Sequence, residues 1–408
     1  FSDGGAYADL STAIMERAML HSDNAYFIPN MFVSGQVCKT HTAPNTAFRG
    51  FGGPKGMITV ENVLEEIAIY LGRDAFDIRQ LNAYKKGQLT HYGQEVDDNV
   101  LPELFSKIRK TSDYDNRKQK IEAFNKNSTM HARGISVTAI KFGISFTTRF
   151  LNQANALVNV FIDGSIQVST GATEMGQGVY TKIAQVVQEA FDIPMEDIRI
   201  MPTSTEKNSN TSATAASSGS DLNGRAAELA CDIIRARLSR LALQVLNRPA
   251  ELRGRKVAGA GCAPEIIIDD SNSNLTCEVE FKDGFVIDPK TKNKISFKDL
   301  LQEAYLNRIS LSAYGFYRYP GIYFNKETGQ GKPFFYYTNG VAVSEVSLDK
   351  YTGEVKVLRS DILIDLGRSQ NHDIDMGQVT GAFVQGMGWL TTEKLFYNEK
   401  GVLKTYSP

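Results

Sequence analysis

Apolar residues recur at helical spacing in several separate stretches of the chain. Over 57–71, Val60, Val63, Leu64, Ile67 and Leu71 fall three or four apart and the pattern stops at Gly72, which predicts an amphipathic helix with a glycine stop. Residues 10–19 read the same way, and 97–127 reads as helical with the charged, solvated face that its Lys, Arg, Asp and Glu content implies. From 156 the period changes to two. Leu157, Asn159 and Phe161 share one face, Val158, Val160 and Ile162 the other, and Asp163-Gly164 then turns the chain into Ile166 and Val168, a hairpin signal. A helix is predicted over 179–191 from Ile183, Val186, Val187 and Ala190. Another is predicted between 223 and 246 from Ala227, Leu229, Ile233, Ile234, Leu238, Leu241 and Val245, with Ser220 or Asp221 as N-cap. Strands are expected over 341–346 and 355–358, around Lys350-Tyr-Thr-Gly353, followed by a helix from near Asp373 that contains Gln385.

The order hairpin, loop, helix therefore occurs twice, as a weak internal repeat. The expected fold class is α+β: mixed α/β subdomains with hairpins and flanking helices, in which two halves facing each other leave a cofactor crevice. The change of periodicity divides the chain into a first subdomain, 1–155, and a second, 156–408.

Composition narrows what such a fold could do. The 408 residues are 42% hydrophobic and 22% charged, ordinary globular values that support more than one core. A net charge of −1 with basic and acidic residues interspersed offers no field for nucleic acid and no polybasic membrane patch, so the ligand is expected to be small. No apolar run approaches the roughly 18 residues of a membrane span and no charged-then-apolar leader is visible, so a cytoplasmic location is expected. Cys38, Cys231, Cys262 and Cys277 are scattered without a Cys-x-x-Cys pair, and the five histidines are isolated. A metal acting here would have to be carried by an organic cofactor.

Candidate chemistry lies in four segments that expose backbone. Residues 47–53 read Ala-Phe-Arg-Gly-Phe-Gly-Gly, placing a fixed charge and an aromatic ring among glycines, where something large must approach closely. Taken alone, this could be a tight turn with one buried Phe. The others are 171–178 (Gly-Ala-Thr-Glu-Met-Gly-Gln-Gly), the small-residue run 211–220, and 381–388 (Gly-Ala-Phe-Val-Gln-Gly-Met-Gly). Together they suit an extended, anionic cofactor held by main-chain N–H groups and a few amide side chains.

These segments resemble the molybdenum-cofactor-binding part of the xanthine dehydrogenase and aldehyde oxidase family, and most closely its xanthine dehydrogenase branch. The resemblance rests on Met-Glu-Arg-Ala-Met at 15–19, Asn-Thr-Ala-Phe-Arg-Gly-Phe-Gly-Gly-Pro at 45–54, Phe-Gly-Ile-Ser-Phe-Thr at 142–147, Thr-Glu-Met-Gly-Gln-Gly at 173–178, Thr-Ala-Ala-Ser at 214–217 and Gly-Ala-Phe-Val-Gln-Gly at 381–386. It implies a molybdenum hydroxylase that inserts water-derived oxygen at an electron-poor ring carbon of hypoxanthine or xanthine. Electrons would pass to 2Fe-2S and FAD modules on other domains or subunits of a homo-oligomeric enzyme of purine catabolism. It also implies roles. Phe51 and Phe146 would sandwich the purine and Thr147 would border it. Arg17 would stabilise negative charge developing on the purine, favouring a purine over an aldehyde. Arg49, Gly50, Gln177, Ala215, Ala216 and Gln385 would contact the molybdopterin, whose own sulfurs, not side chains of this chain, hold the molybdenum.

Duller readings stand beside these. Phe146 could pack a core, Arg17 could snorkel to solvent, and each glutamine could satisfy its own loop. Glu174 and Glu345 lie near these loops, with no second acid at a spacing that declares a catalytic pair. The charged stretch at about 247–293 is expected to be a surface insertion, since the resembling sequences have a short connection there. The family's glutamate base belongs to a Gly-Glu-Pro-Pro-like segment absent from these 408 residues, which alone are expected to be inactive and to lose the cofactor. An aldehyde or N-heteroaromatic oxidase of the same family, or an inactive fragment, is the alternative.

Overall fold

A computed structural model describes residues 1–248 and 275–405. The chain divides into two compact units, the first made of Phe1–Thr147 and Gly321–Pro408, the second of Thr148–Pro320. Along the first unit run β1 (Ser2–Gly5), α1 (Ser11–Leu20), β2 (Val37–Lys39), α2 (Gly53–Leu71), α3 (Ala75–Asn82), β3 (Gln88–Leu89), β4 (Glu95–Val96), α4 (Leu101–Thr111), α5 (Tyr114–Asn127) and β5 (His131–Ile144). The second unit holds β6 (Gln153–Val160), β7 (Ile166–Thr170), α6 (Val179–Phe191), β8 (Ile198–Ile200), α7 (Gly219–Leu246), β9 (Glu280–Lys282), β10 (Phe285–Ile287), β11 (Lys294–Ser296), α8 (Phe297–Leu306) and β12 (Ser312–Arg318). The chain then returns to the first unit with β13 (Tyr323–Asn325), β14 (Gln330–Lys332), β15 (Tyr336–Asp349), β16 (Val355–Asp365) and α9 (His372–Thr391). This is the expected α+β class, and the hairpin–loop–helix order is present as β6–β7–α6 and again as β15–β16–α9.

The first unit is organised by an antiparallel sheet of order β16-β15-β5, so β5 is an edge strand. Its core gathers Tyr26, Val60, Leu64, Phe76, Tyr84, Tyr92, Phe105, Ile108, Val137, Phe334 and Val343. The pairing of β15 with β5 over 14 residues, Tyr336 opposite Ile144 through Asp349 opposite His131, draws the last part of the chain back onto the first unit. The compact units are therefore drawn differently from the segments 1–155 and 156–408: strand partners far apart in sequence, not the local period, decide which segments pack together. The helical stretch expected over 97–127 is two helices, because Asp113 takes a left-handed turn (φ 55°) between α4 and α5.

In the second unit, sheet β12-β6-β7-β8 carries α6 and α7, with Val158, Val168, Ile183, Val187, Ala226, Ala230, Ile234 and Leu238 in the core. Part of the expected surface insertion, 249–274, lies outside the described residues. The rest is not surface dressing. Residues 280–296 form the sheet β11-β10-β9, and Phe281 packs its ring 5.7 Å from Phe191 with Val279 and Val286 in the same core.

Candidate functional site

Two of the backbone-exposing segments pack against each other in the second unit. Gly171 has no room for a side chain, since a Cβ there would stand 2.1 Å from Thr211 Oγ1, and the Thr173 N–H donates to Thr214 Oγ1 at 2.9 Å. Glu174 occupies the start of α6, accepting from the N–H groups of Gly176 (2.8 Å), Gly178 (2.9 Å) and Tyr180 (3.1 Å). Partial burial raises its pKa, but these donors outweigh that and hold it below the usual glutamate range. Gln177 folds onto its own loop, with Oε1 accepting from Met175 N at 2.5 Å and Nε2 donating to Thr173 O at 2.8 Å. That is the loop-satisfying role an amide can take, and it leaves one N–H and one lone pair for a further partner.

The neighbouring segment leads into α7 through Ala216 (φ 58°) and Ser217 (φ 56°), a left-handed pair that costs about 1–2 kcal/mol per non-glycine residue. Ser218 is the N-cap of this 28-residue helix, in place of the Ser220 or Asp221 expected, and makes no side-chain capping hydrogen bond. A helix N-terminus of this kind directs its first-turn N–H groups and the positive end of its dipole outward, a setting suited to an anion. Ala215 and Ala216 stand at this opening.

The other two segments meet in the first unit. Arg49 donates through Nη2 to Gln378 Oε1 (2.8 Å) and Gln378 O (3.1 Å) on α9, and Phe48 sets its ring 5.9 Å from Trp389. Gln385 is exposed further along the same helix. Phe51 is half-buried with φ 52°, between Gly50 (φ 91°) and Gly52 (φ 98°). The close approach expected at this segment has a structural cause: a Cβ on Gly52 would lie 2.1 Å from Ile14 O, and one on Gly56 2.2 Å from Ala18 O. These glycines, one helical turn apart, let α2 lie directly against the backbone of α1. What comes close is α1.

Arg17 sits on α1 and is only 4% exposed, so it does not snorkel. Its Nη1 donates to Gly143 O at 2.7 Å and its Nη2 to Ser145 O at 2.6 Å, while the guanidinium carbon lies 5.4 Å from the Phe142 ring centre and 5.0 Å from that of Phe334. Burial pulls its pKa down to about 10, which leaves it positive at neutral pH. Among the described residues these hydrogen bonds go to neutral carbonyls, so the charge is solvated by the protein but not neutralised. Directly after Ser145 come the half-buried Phe146 and Thr147, and Thr147 Oγ1 donates to Glu16 Oε1, whose other oxygen pairs with Lys326 at 3.0 Å. Arg17, Phe146 and Thr147 are thereby brought to one place. Glu345 is elsewhere in the unit, paired with Arg117 at 2.9 Å.

A buried polar cluster beneath Arg17 went unnoticed in the sequence. Lys141 has no exposed surface and lies 3.3 Å from Asp23 Oδ2, with its ammonium 4.6 Å from the ring centre of Tyr337 and 5.1 Å from that of Tyr84. Tyr84 donates to Asp23 Oδ2 at 2.8 Å. His21, also fully buried, has its pKa driven well below the ordinary value by burial, then by Arg17 and Lys141. A lysine inside the apolar run Thr-Ala-Ile-Lys-Phe-Gly-Ile was the available signal.

The residues present suit an anionic, extended cofactor. The α7 N-terminus, which has no side-chain cap at Ser218, the strained Ala216-Ser217 pair and Gly176, where a Cβ would meet nothing within 4 Å, give an open backbone cradle. Among the described residues no group of three His, Cys, Asp or Glu side chains could hold a metal ion directly. Comparison with known proteins defines the class: two molybdopterin cofactor-binding domain models match residues 1–83 and residues 107–260 with 273–408, and the chain belongs to that family. Within it, the chain is 42% identical over its whole length to xanthine dehydrogenase/oxidase of Mus musculus and 41% identical to xanthine dehydrogenase of Dictyostelium discoideum, spanning 27% of the length of each. Solved structures share the fold. Aldehyde oxidoreductase from Desulfovibrio desulfuricans matches 95% of this chain and 36% of its own at TM-score 0.75 and 23% identity; quinoline 2-oxidoreductase from Pseudomonas putida matches 99% and 49% at TM-score 0.75 and 21% identity. No described helix is long and apolar enough to cross a membrane.

Proposed function

We propose that this chain is the molybdopterin-binding part of a xanthine dehydrogenase-like hydroxylase that oxidises a purine such as hypoxanthine or xanthine. The observation that carries this reading is Arg17: a buried guanidinium, still charged, bonded among the described residues to the carbonyls of Gly143 and Ser145, the latter directly before Phe146 and Thr147 in sequence. Such a charge is poised for a substrate that becomes anionic as it reacts, because in a desolvated site its hydrogen bonds go to neutral carbonyls while the nearby Glu16 carboxylate is engaged by Thr147 and Lys326. Phe51 and Phe146 contribute flat faces for a heteroaromatic ring, and aromatic contacts of this kind are worth about 0.5–1.5 kcal/mol each beyond area burial. Thr147, tied to Glu16, borders the ring with its position fixed.

Gly50 and Arg49, the Gln177 amide, the backbone at Ala215 and Ala216, and Gln385 would hold the pterin. Bound there, the cofactor would supply oxygen-transfer and two-electron redox chemistry, with 2Fe-2S and FAD modules elsewhere in the longer, homo-oligomeric enzyme as electron acceptors. The residues of this chain orient the purine, exclude water around Arg17 and present its positive charge.

The experiment is Arg17→Ala in the full-length, cofactor-loaded protein, assayed with xanthine and with benzaldehyde. The expected result is a loss of roughly 10²–10³-fold in kcat/KM for xanthine, the scale for removing one charge-stabilising donor, with benzaldehyde turnover retained. Undiminished xanthine turnover overturns the reading in favour of an aldehyde or N-heteroaromatic oxidase.

A further inference from the structure

β5 is an edge strand, and an edge strand presents a row of N–H and C=O groups that must find partners. On β5 and just beyond it, the outward groups belong to alternate residues: the carbonyl of Ala139, the N–H of Lys141, both groups of Gly143 and the carbonyl of Ser145. Among the described residues no strand meets them. Three side chains from α1 and the turn after it do: Arg17 binds Gly143 O (2.7 Å) and Ser145 O (2.6 Å), His21 accepts from Gly143 N (3.1 Å), and Asn24 accepts from Lys141 N (3.4 Å) and donates to Ala139 O (2.7 Å). The spacing explains why this works. Four helical residues rise about 6 Å, and two strand residues rise about 6.7 Å, so each step from Arg17 to His21 follows one repeat of the strand edge.

His21 is the centre of this ladder. Its Nε2 accepts from the Gly143 N–H, so its proton is on Nδ1, which lies 2.9 Å from the carbonyl of Arg17 and donates to it. One ring thus joins the backbone of Arg17 to the backbone of Gly143, while the Arg17 side chain returns to the carbonyl of the same Gly143. The ring is seated between Phe142 (4.9 Å between centres) and Phe334 (5.1 Å). Only the neutral imidazole can accept and donate in this way.

We infer that His21 is a positioning residue that registers Arg17 against the segment carrying Phe146 and Thr147, and so sets where the guanidinium stands relative to the bound ring. The inference rests on the reading of Arg17 as the group that meets a purine. His21 touches neither substrate nor cofactor; it acts through Arg17 and Gly143. Without it, the N–H of Gly143 is buried and unpaired, β5 and α1 lose their fixed register, and the charge is delivered with poorer aim.

The test uses the full-length, cofactor-loaded protein with xanthine and benzaldehyde. His21→Phe fills the slot between Phe142 and Phe334 but can neither accept nor donate, whereas His21→Gln can do both. For His21→Phe, kcat/KM for xanthine is expected to fall roughly 10-fold or more, chiefly in kcat, with benzaldehyde turnover within about 3-fold of wild type. His21→Gln is expected to recover most of the xanthine loss, and the Arg17→Ala/His21→Phe double variant to equal Arg17→Ala alone, because both act at one point. If His21→Phe does not accumulate in loaded form, His21→Asn, which reaches the carbonyl of Arg17 but not the N–H of Gly143, replaces it in the same comparison. Equal losses on both substrates, additive effects in the double variant, or wild-type behaviour of His21→Phe beside an impaired Arg17→Ala overturn the positioning role. Intact xanthine turnover in Arg17→Ala would instead remove the purine reading on which it stands.

Discussion

Arg17 and Gly143 hold each other across 126 residues of sequence: the guanidinium donates to the Gly143 carbonyl at 2.7 Å, and the N–H of that glycine is taken by His21, four residues after Arg17. Gly143 itself has no space for a side chain, since a Cβ would lie 2.2 Å from the fully buried ring of Phe334. The same residue therefore serves as a backbone anchor and as the gap through which Phe334 reaches under the arginine.

Gly143→Ala is expected to lower stability by about 1–3 kcal/mol, the range for overpacking a filled core. Gly134→Ala on the same strand is the control, because its Cβ would find its nearest neighbour, Val346 Cγ2, at 3.8 Å. Thermal unfolding of the full-length protein compares the two, and an equal response from both would contradict the close packing at Phe334.

The α1–α2 contact makes a second prediction. Gly56→Ala sets a methyl group 2.2 Å from the carbonyl of Ala18, next to Arg17, and the two helices must part. Lowered thermal stability and reduced xanthine turnover should appear together, whereas an unchanged unfolding temperature would show that the seam is looser than described.

Stability should also depend on pH through His21. Burial, with Arg17 and Lys141 adding to it and Asp23 opposing, lowers its folded pKa, so below about pH 6.5 the unfolded chain takes up a proton that the folded chain refuses. Its contribution is complete above that pH and is lost at up to about 1.4 kcal/mol per unit as pH falls toward the lowered folded value. Denaturant unfolding between pH 7.5 and 5 measures the slope, and His21→Gln should be flatter than wild type. Parallel slopes would mean that His21 titrates alike in the folded and unfolded chain, which contradicts its lowered folded pKa.

The Asp23–Lys141 pair is buried beneath the site. Removing one partner, as in Lys141→Met, leaves Asp23 charged and uncompensated, with an expected cost of about 3–5 kcal/mol. Asp23→Asn combined with Lys141→Met should recover a large part of that loss, and a double variant no better than the sum of the singles would rule out direct coupling.

Much of this molecule was legible locally. Apolar spacing located α1, α2, α6, α7 and the β6–β7 hairpin, because a segment that buries one face must repeat with the period of its own backbone. The glycine-rich segments, Arg17, Phe146 and Gln177 were visible as residue types that interrupt such patterns. Other features depend on partners that no local window contains. The sequence does not show that β15 returns to β5, that Gly52 and Gly56 make way for α1, or that residues 280–296 add strands to a core. It also does not show that Arg17, His21 and Asn24 stand in for a missing neighbour of an edge strand. Periodicity encodes which face of an element is buried; tertiary packing alone decides what covers it, and here it turns an ordinary helical arginine into a charge held in place by a distant strand.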